Sequence, residues 1–509
     1  IIVLLIYATY QTPAEANFAP LDTFIFFIGL IVLFGYFNWL QFRALQRMIS
    51  RDSFTRLDHR YNTLLTRQAV MAIALFALDL YALNLPSYLS HIRVFTKIPT
   101  IEAVAFLALF IFYLAIVWFF AHGTYRHLYS SSVSRMSYVW SQISFSIPVL
   151  LPWLVLSGFA DFIQALPFSL PKKFLSTTEG EVLYFMIFLL IVAMLGPAMI
   201  QKFWRCRPLE AGAARSRIEA LCMRAEMAYA NIMYWPIFGG RMITAGVMGL
   251  VKKFRYILVT RALLDVLEPA EIDAVISHEI GHIKHKHLIF YLMFFAGYML
   301  LTYAVFDLII YSIIYLDPIF QFFTGLGFNQ MTLTSLAFSL VIIIIFLVYF
   351  RFIFGYFMRN FERQADTYVY TLFDSAHPLI STLEKIAITS GQPPDRPNWH
   401  HFSISERINY LAKCENDRSA IRQHDLKIKK SMAVYLVCML VIGVIGYSLN
   451  FGETGKNLSN RFFEKIVLRE LDKNPQDPNL YRILGDCLLY TSPSPRDRSA
   501  YLVCRLLLE

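Results

Sequence analysis

The pentapeptide His278-Glu279-Ile280-Gly281-His282 sets two imidazoles at i and i+4, on one face of a helix, where both can donate to a single metal ion. The chemistry open to such a set is hydrolysis. The ion polarises a carbonyl and acidifies a water, and Glu279 takes the water proton as general base. A catalytic zinc takes three protein ligands and keeps one position open, so a third donor is required. Glu362 is the candidate. In Arg359-Asn-Phe-Glu362-Arg-Gln-Ala-Asp366 it precedes Asp366 by one helical turn, so one carboxylate can bind metal while the other accepts the N–H of a ligating imidazole. A developing oxyanion would need a further donor, and His400, His401 and Arg407 in Trp399-His-His-Phe-Ser-Ile-Ser-Glu-Arg407 are the candidates. The sequence does not choose among them. His285 and His287, in Lys284-His-Lys-His287, read instead as basic residues where a helix meets a bilayer.

These groups need particular elements to hold them. Pro269 suits a first helical turn, Glu271 suits the positive end of the dipole, and Ile272, Val275, Ile276, Glu279 and Ile283 recur at helical spacing. His278 and His282 therefore project from neighbouring turns. Two apolar stretches follow, 288–312 and 333–357, and their hairpin returns the chain to the membrane face it left, which brings Glu362 to the side of the histidines. Upstream, Arg215 to Ala230 reads as an amphipathic helix, Phe254 to Thr260 as a short strand and Met242 to Leu250 as its partner. A strand beside the metal helix could align an extended peptide by edge pairing.

With 57% hydrophobic residues, 45 phenylalanines and a mean hydropathy of +0.50, the 509-residue chain is too apolar for an ordinary soluble protein. Six further stretches can span a bilayer, at 23–40, 68–86, 103–122, 140–160, 182–201 and 432–449, the fourth kinked by Pro148 and Pro152. The net charge of +10 does not point to nucleic acid, because Lys and Arg fall in alternate loops. Segments 41–67, 123–139, 202–287 and 358–431 carry 6, 2, 13 and 11 of them, against 2, 2 and 0 in 87–102, 163–181 and 313–332. That is the positive-inside pattern, and it sets the first group in the cytoplasm and both termini outside. Asp79, within the second span, needs a partner or a wet cavity. Cys206, Cys222, Cys414, Cys438, Cys487 and Cys504 form no close pair, so neither a thiolate zinc site nor a disulfide framework is indicated.

Three stretches resemble the integral-membrane zinc endopeptidases of the HtpX and type I CAAX prenyl-protease family: Glu271 to His282, Arg359 to Asp366 and His401 to Arg407. The resemblance implies a mostly α, polytopic gluzincin of about eight transmembrane helices, with a cytoplasmic zincin-like catalytic domain holding a small β element. It implies one Zn2+ per chain on His278, His282 and Glu362, Glu279 as the catalytic base, and Asp366, His401 and Arg407 as supporting or transition-state residues. Phe402 and Ser403 stand where the family's third motif has prolines.

The expected organisation is a truncated signal-like segment (1–21, with Ala14-Glu-Ala16 as a cleavage site), a five-span membrane domain (22–201) and a peptidase domain (202–430) that includes spans 288–312 and 333–357. A last span (431–450), the start of a helical tail resembling a tetratricopeptide repeat (451–490) and a non-native extension (491–509) complete it. Expected partners are peptide or membrane-protein substrates, the bilayer and a protein bound by the tail, with no nucleic acid. The expected location is a bacterial inner membrane and the expected role membrane-protein quality control. A zinc hydrolase of lipid or prenylated peptide, and a non-catalytic scaffold, are the alternatives. A transporter is disfavoured, since the ionisable constellation lies at the membrane edge.

Overall fold

The computed structural model describes residues 1–11, 18–49, 54–89, 92–129, 132–236, 242–314, 322–325, 330–390, 393–396, 399–450, 452–473 and 475–491. The expected cleavage site at 14–16 and the extension beyond residue 491 lie outside them. Helices dominate, and among the described residues seven are long and apolar enough to cross a membrane. An eighth span, Arg135–Ala165, is broken into Arg135–Pro148 and Leu150–Ala165 at 55°, in keeping with prolines that remove backbone donors from the ladder. The protein is thus mostly α and polytopic, with a small sheet among the described residues.

The chain divides into two compact units. The first comprises residues 1–293 and 327–428. Its membrane part packs Phe34, Phe42, Tyr61, Tyr113, Val117 and Ala121 into one apolar cluster. The opening helix Ile2–Thr9 buries Val3, Leu4 and Ile6 against Phe76, Leu80 and Phe106. Asp79 is fully buried and takes a 2.8 Å hydrogen bond from the Tyr113 hydroxyl, the partner its position demanded.

The extramembrane part of this unit is built around a four-stranded sheet. Its strands are β1 (Arg207–Pro208), β2 (Asn231–Tyr234), β3 (Ala245–Met248) and β4 (Tyr256–Val259), in the order β1-β2-β4-β3. The central strand β4 pairs antiparallel with β3 and parallel with β2, so β3 is an edge strand of the described sheet. The expected strand and its partner both form, in shorter pieces. The parallel β2 had no alternating pattern to announce it.

Helix Pro269–Lys284 lies beside β3, and its start is fixed by a capping box between Glu268 and Glu271. Ile272, Ile276 and Ile280, one residue per turn, bury one face in a core shared with Ile218, Cys222, Ile257 and Val259. Helix Ala213–Arg224 braces the same helix through a two-pronged ion pair, Arg217 Nε and Nη2 to Asp273 at 2.8 and 2.6 Å.

The second unit comprises residues 294–326 and 429–509. Gly446 allows a close helix approach within it, since a Cβ there would lie 2.7 Å from that of Ala304, the small-residue contact typical of membrane helices. Its tail forms two packed helices, Glu453–Lys473 and Pro478–Thr491.

Candidate metal centre

The isoleucine face of helix Pro269–Lys284 points at the sheet, so the histidines, half a turn away, point at helix Gly355–Thr367. The two helices cross at Gly281. A Cβ there would meet the Cβ of Tyr368 at 2.8 Å and the Cα and carbonyl oxygen of Ala365 at 3.0 and 3.1 Å. Ahead of helix Gly355–Thr367 the chain makes a π-helical turn over Tyr349–Phe354, a local change of register of the sort found near functional sites.

At the crossing, His278, His282 and Glu362 form a buried cluster whose donor atoms lie within 4.8 Å of one another. The spacing is regular. His278 Nε2 and His282 Nε2 are 3.4 Å apart, and Glu362 stands 3.4 Å from each, through Oε2 to His278 and Oε1 to His282. Ligands about 2.0–2.1 Å from a tetrahedral ion are separated by about 3.4 Å. Without an ion, two imidazole nitrogens facing each other across that gap share at most one proton. Donor type, separation and burial all fit zinc.

The two histidines are held from behind. His278 Nδ1 lies 2.9 Å from Asp366 Oδ1, and Asp366 is gripped by Arg407 through Nε to Oδ2 at 2.9 Å and Nη2 to Oδ1 at 2.6 Å. Arg407 is thereby turned to the carboxylate behind His278. His401 Nδ1 lies 2.9 Å from Glu362 Oε2 on the more open side, and the His400 ring packs on that of His401 with centroids 4.3 Å apart. His287, read from sequence as an interfacial base, is instead fully buried, with Nδ1 3.0 Å from His282 Nδ1. Its burial was missed because nothing local in a Lys-His-Lys-His run signals it.

Glu279, one residue past His278, faces the sheet edge, and its Oε2 accepts from the backbone N–H of Val247 in β3 at 3.1 Å. Burial, reinforced by the charge of Glu362 and opposed by His278, pushes its carboxyl up to about 7, where a general base works near neutral pH. Burial acts against a charged His278, yet Asp366 and Glu362 outweigh it and raise that imidazole to about 10. Burial lowers His282 to about 4, leaving it neutral. A cavity of about 180 Å³ opens onto the group and is walled by Ala245, Glu279, Glu362, Leu383 and His401 among others.

The profile of Peptidase family M48 matches residues 208–497 of the 509. A protein named Protease HtpX homolog from Thermoplasma acidophilum is 51% identical over 55 residues, which is 9% of this chain and 17% of that protein, so the match spans well under two thirds of the relative. The crystal structure of S. mikatae Ste24p aligns over 81% of this chain and 98% of its own, at 18% identity and a TM-score of 0.43. Since the M48 match takes in more than half of the sequence and contains the His-His-Glu cluster, the chain belongs to peptidase family M48 and is a membrane metallopeptidase.

Proposed function

We propose that this chain is a zinc-dependent endopeptidase that cuts peptide bonds at the cytoplasmic face of a bacterial inner membrane, in membrane-protein quality control. The observation that carries the reading is the 3.4 Å triangle of His278, His282 and Glu362 with a carboxylate of raised pKa beside it. His278, His282 and Glu362 would hold the zinc, which would supply Lewis acidity toward a carbonyl and toward a water. Glu279 is the base that takes the water proton and returns it to the leaving amine. The outward edge of β3 lines the cavity at Ala245 and supplies backbone groups for an extended substrate. His401, beside Glu362 and partly open to the cavity, is the donor toward the oxyanion. Asp366 and Arg407 are positioning residues. The cytoplasmic side rests on the distribution of Lys and Arg, and the quality-control role on the resemblance to the HtpX branch.

One observation favours a lipidated substrate within the same chemistry. An apolar cavity of about 400 Å³, walled by Pro148, Pro152, Phe188, Ile191 and Leu292, begins at Met248, where β3 ends. A peptide laid along β3 could place an acyl or prenyl chain there. Cleavage of a farnesylated peptide far in excess of its unmodified twin selects this reading; equal cleavage removes it.

The deciding experiment compares wild type with Glu279→Gln for bound zinc and for proteolysis of casein and a membrane-protein substrate. The variant is expected to retain zinc and lose at least a hundredfold in turnover. Equal turnover would remove Glu279 from the chemistry.

A further inference from the structure

We propose that His287, Gln364 and Asp425 form a one-way hydrogen-bond chain that fixes the tautomer of His282 and so aims its Nε2 lone pair at the metal. The inference rests on the metal-site reading above and adds three positioning residues to it. The contacts run in series: His282 Nδ1 to His287 Nδ1 at 3.0 Å, His287 Nε2 to Gln364 Oε1 at 3.2 Å, and Gln364 Nε2 to Asp425 Oδ1 at 2.7 Å.

The direction follows from the far end. A carboxylate only accepts, so Gln364 must turn its amide nitrogen to Asp425 and its carbonyl oxygen to His287. His287 must then carry its proton on Nε2, which leaves a lone pair on Nδ1. Two imidazole nitrogens bond only when one of them bears hydrogen, so His282 is protonated on Nδ1 and bare on Nε2, the atom 3.4 Å from both His278 Nε2 and Glu362 Oε1. His278 meets the same need with Asp366. Both ligands are thus steered through chains that end in a carboxylate, one directly and one over two relays.

The backbone is bent to allow it. Residues five apart in an unbroken helix face about 140° away from each other. Between helices Pro269–Lys284 and His287–Ile314, Lys286 adopts φ of 59°, a left-handed conformation that disfavours a side chain with a Cβ, and this turn folds His287 back onto His282. The His287 ring is then clamped, stacked on Phe361 with centroids 4.4 Å apart and planes 10° apart.

The test measures zinc affinity of the full chain in detergent by competition with a chromophoric chelator, alongside the visible spectrum of the cobalt-loaded protein. His287→Phe keeps the aromatic stack and removes the acceptor; it should bind zinc 10–100-fold more weakly and shift the cobalt bands. Asp425→Leu, further from the ion, should lose a few-fold, and Asp425→Asn, whose carbonyl still accepts, should stay near wild type. Zinc affinity within twofold of wild type and an unchanged cobalt spectrum in His287→Phe would overturn the proposal. Should His287→Phe fail to fold, equal affinities for Asp425→Leu and Asp425→Asn would overturn it instead. A wild type without zinc ends both this inference and the reading beneath it, whereas a zinc-loaded Glu279→Gln that still cleaves ends only the proposed chemistry.

Discussion

Replacing Asp366 by Asn changes one atom and should disturb two functions at once. In the folded protein Asp366 Oδ1 faces both His278 Nδ1 and Arg407 Nη2, and Oδ2 faces Arg407 Nε. Asn offers one acceptor in place of two, so an N–H must confront either Arg407 or His278. The guanidinium also loses its counter-charge while staying buried, and removing one partner of a buried pair costs about 3–5 kcal/mol. For a domain of this size that corresponds to a fall in melting temperature of about 10 °C, measured with chelator present so that metal does not contribute. Zinc affinity should fall a further 10–100-fold, since His278 is no longer oriented. Arg407→Met should be comparably destabilising because it leaves the carboxylate unpaired. The double variant should be milder than the two singles added together, by about 3 kcal/mol of coupling. Thermal unfolding and zinc competition on the four proteins close the cycle. Additive effects, or an Asp366→Asn protein with wild-type melting and zinc binding, would refute the claim that this pair holds His278.

Gly281→Ala raises helix propensity, yet it should lower the melting temperature and weaken zinc binding, because its Cβ must enter the contact with Ala365 and Tyr368; a more stable variant would mean the crossing is looser than described. Glu271 is buried, and although that opposes ionisation, hydrogen bonds from Lys385, Ser381 and the Glu268 N–H hold its carboxyl below the ordinary range. Its contribution is therefore complete above about pH 4.3 and fades as pH falls through the lower folded value, so Glu271→Gln should cost about 2 kcal/mol at pH 7 and little near pH 3 in chemical melts; a gap independent of pH would contradict this. Zinc uptake at pH 7 should release at least one proton, from His278 with its pKa of about 10, and affinity should climb as pH rises toward that value. Zinc titration with a pH indicator in weak buffer reads the release, and an absence of released protons would argue against His278 as a ligand.

Much of this arrangement was legible because it is written in local periodicity. Ile272, Ile276 and Ile280 define a buried stripe, Pro269 and Glu271 mark the helix start, and the paired histidines follow on the opposite side. The membrane spans announce themselves by length and apolarity. What stayed hidden depends on contacts between distant segments. Arg407 reads as a candidate for the reacting oxygen until its partner Asp366, 41 positions upstream, is found against it. The parallel pairing of β2 with β4 has no signature in four residues such as Asn-Ile-Met-Tyr. His287 is hidden for a subtler reason: its contact requires a left-handed residue at Lys286, where the sequence offers no glycine or asparagine to suggest one.

Charge balance explains why these separate devices converge on one point. Glu279, Glu362 and Asp366 bring three negative charges close together, and Arg407 returns one positive charge. With both imidazoles neutral, the remainder is two negative charges, which one divalent cation neutralises. In the protein without metal the imbalance is relieved by protons, and the upward displacement of His278, driven by Asp366 and Glu362 against its burial, is its mark. The protons and the cation therefore compete for one electrostatic role. A site built this way is unstable when empty and ionised, which ties metal retention to the same buried carboxylates that shape the fold.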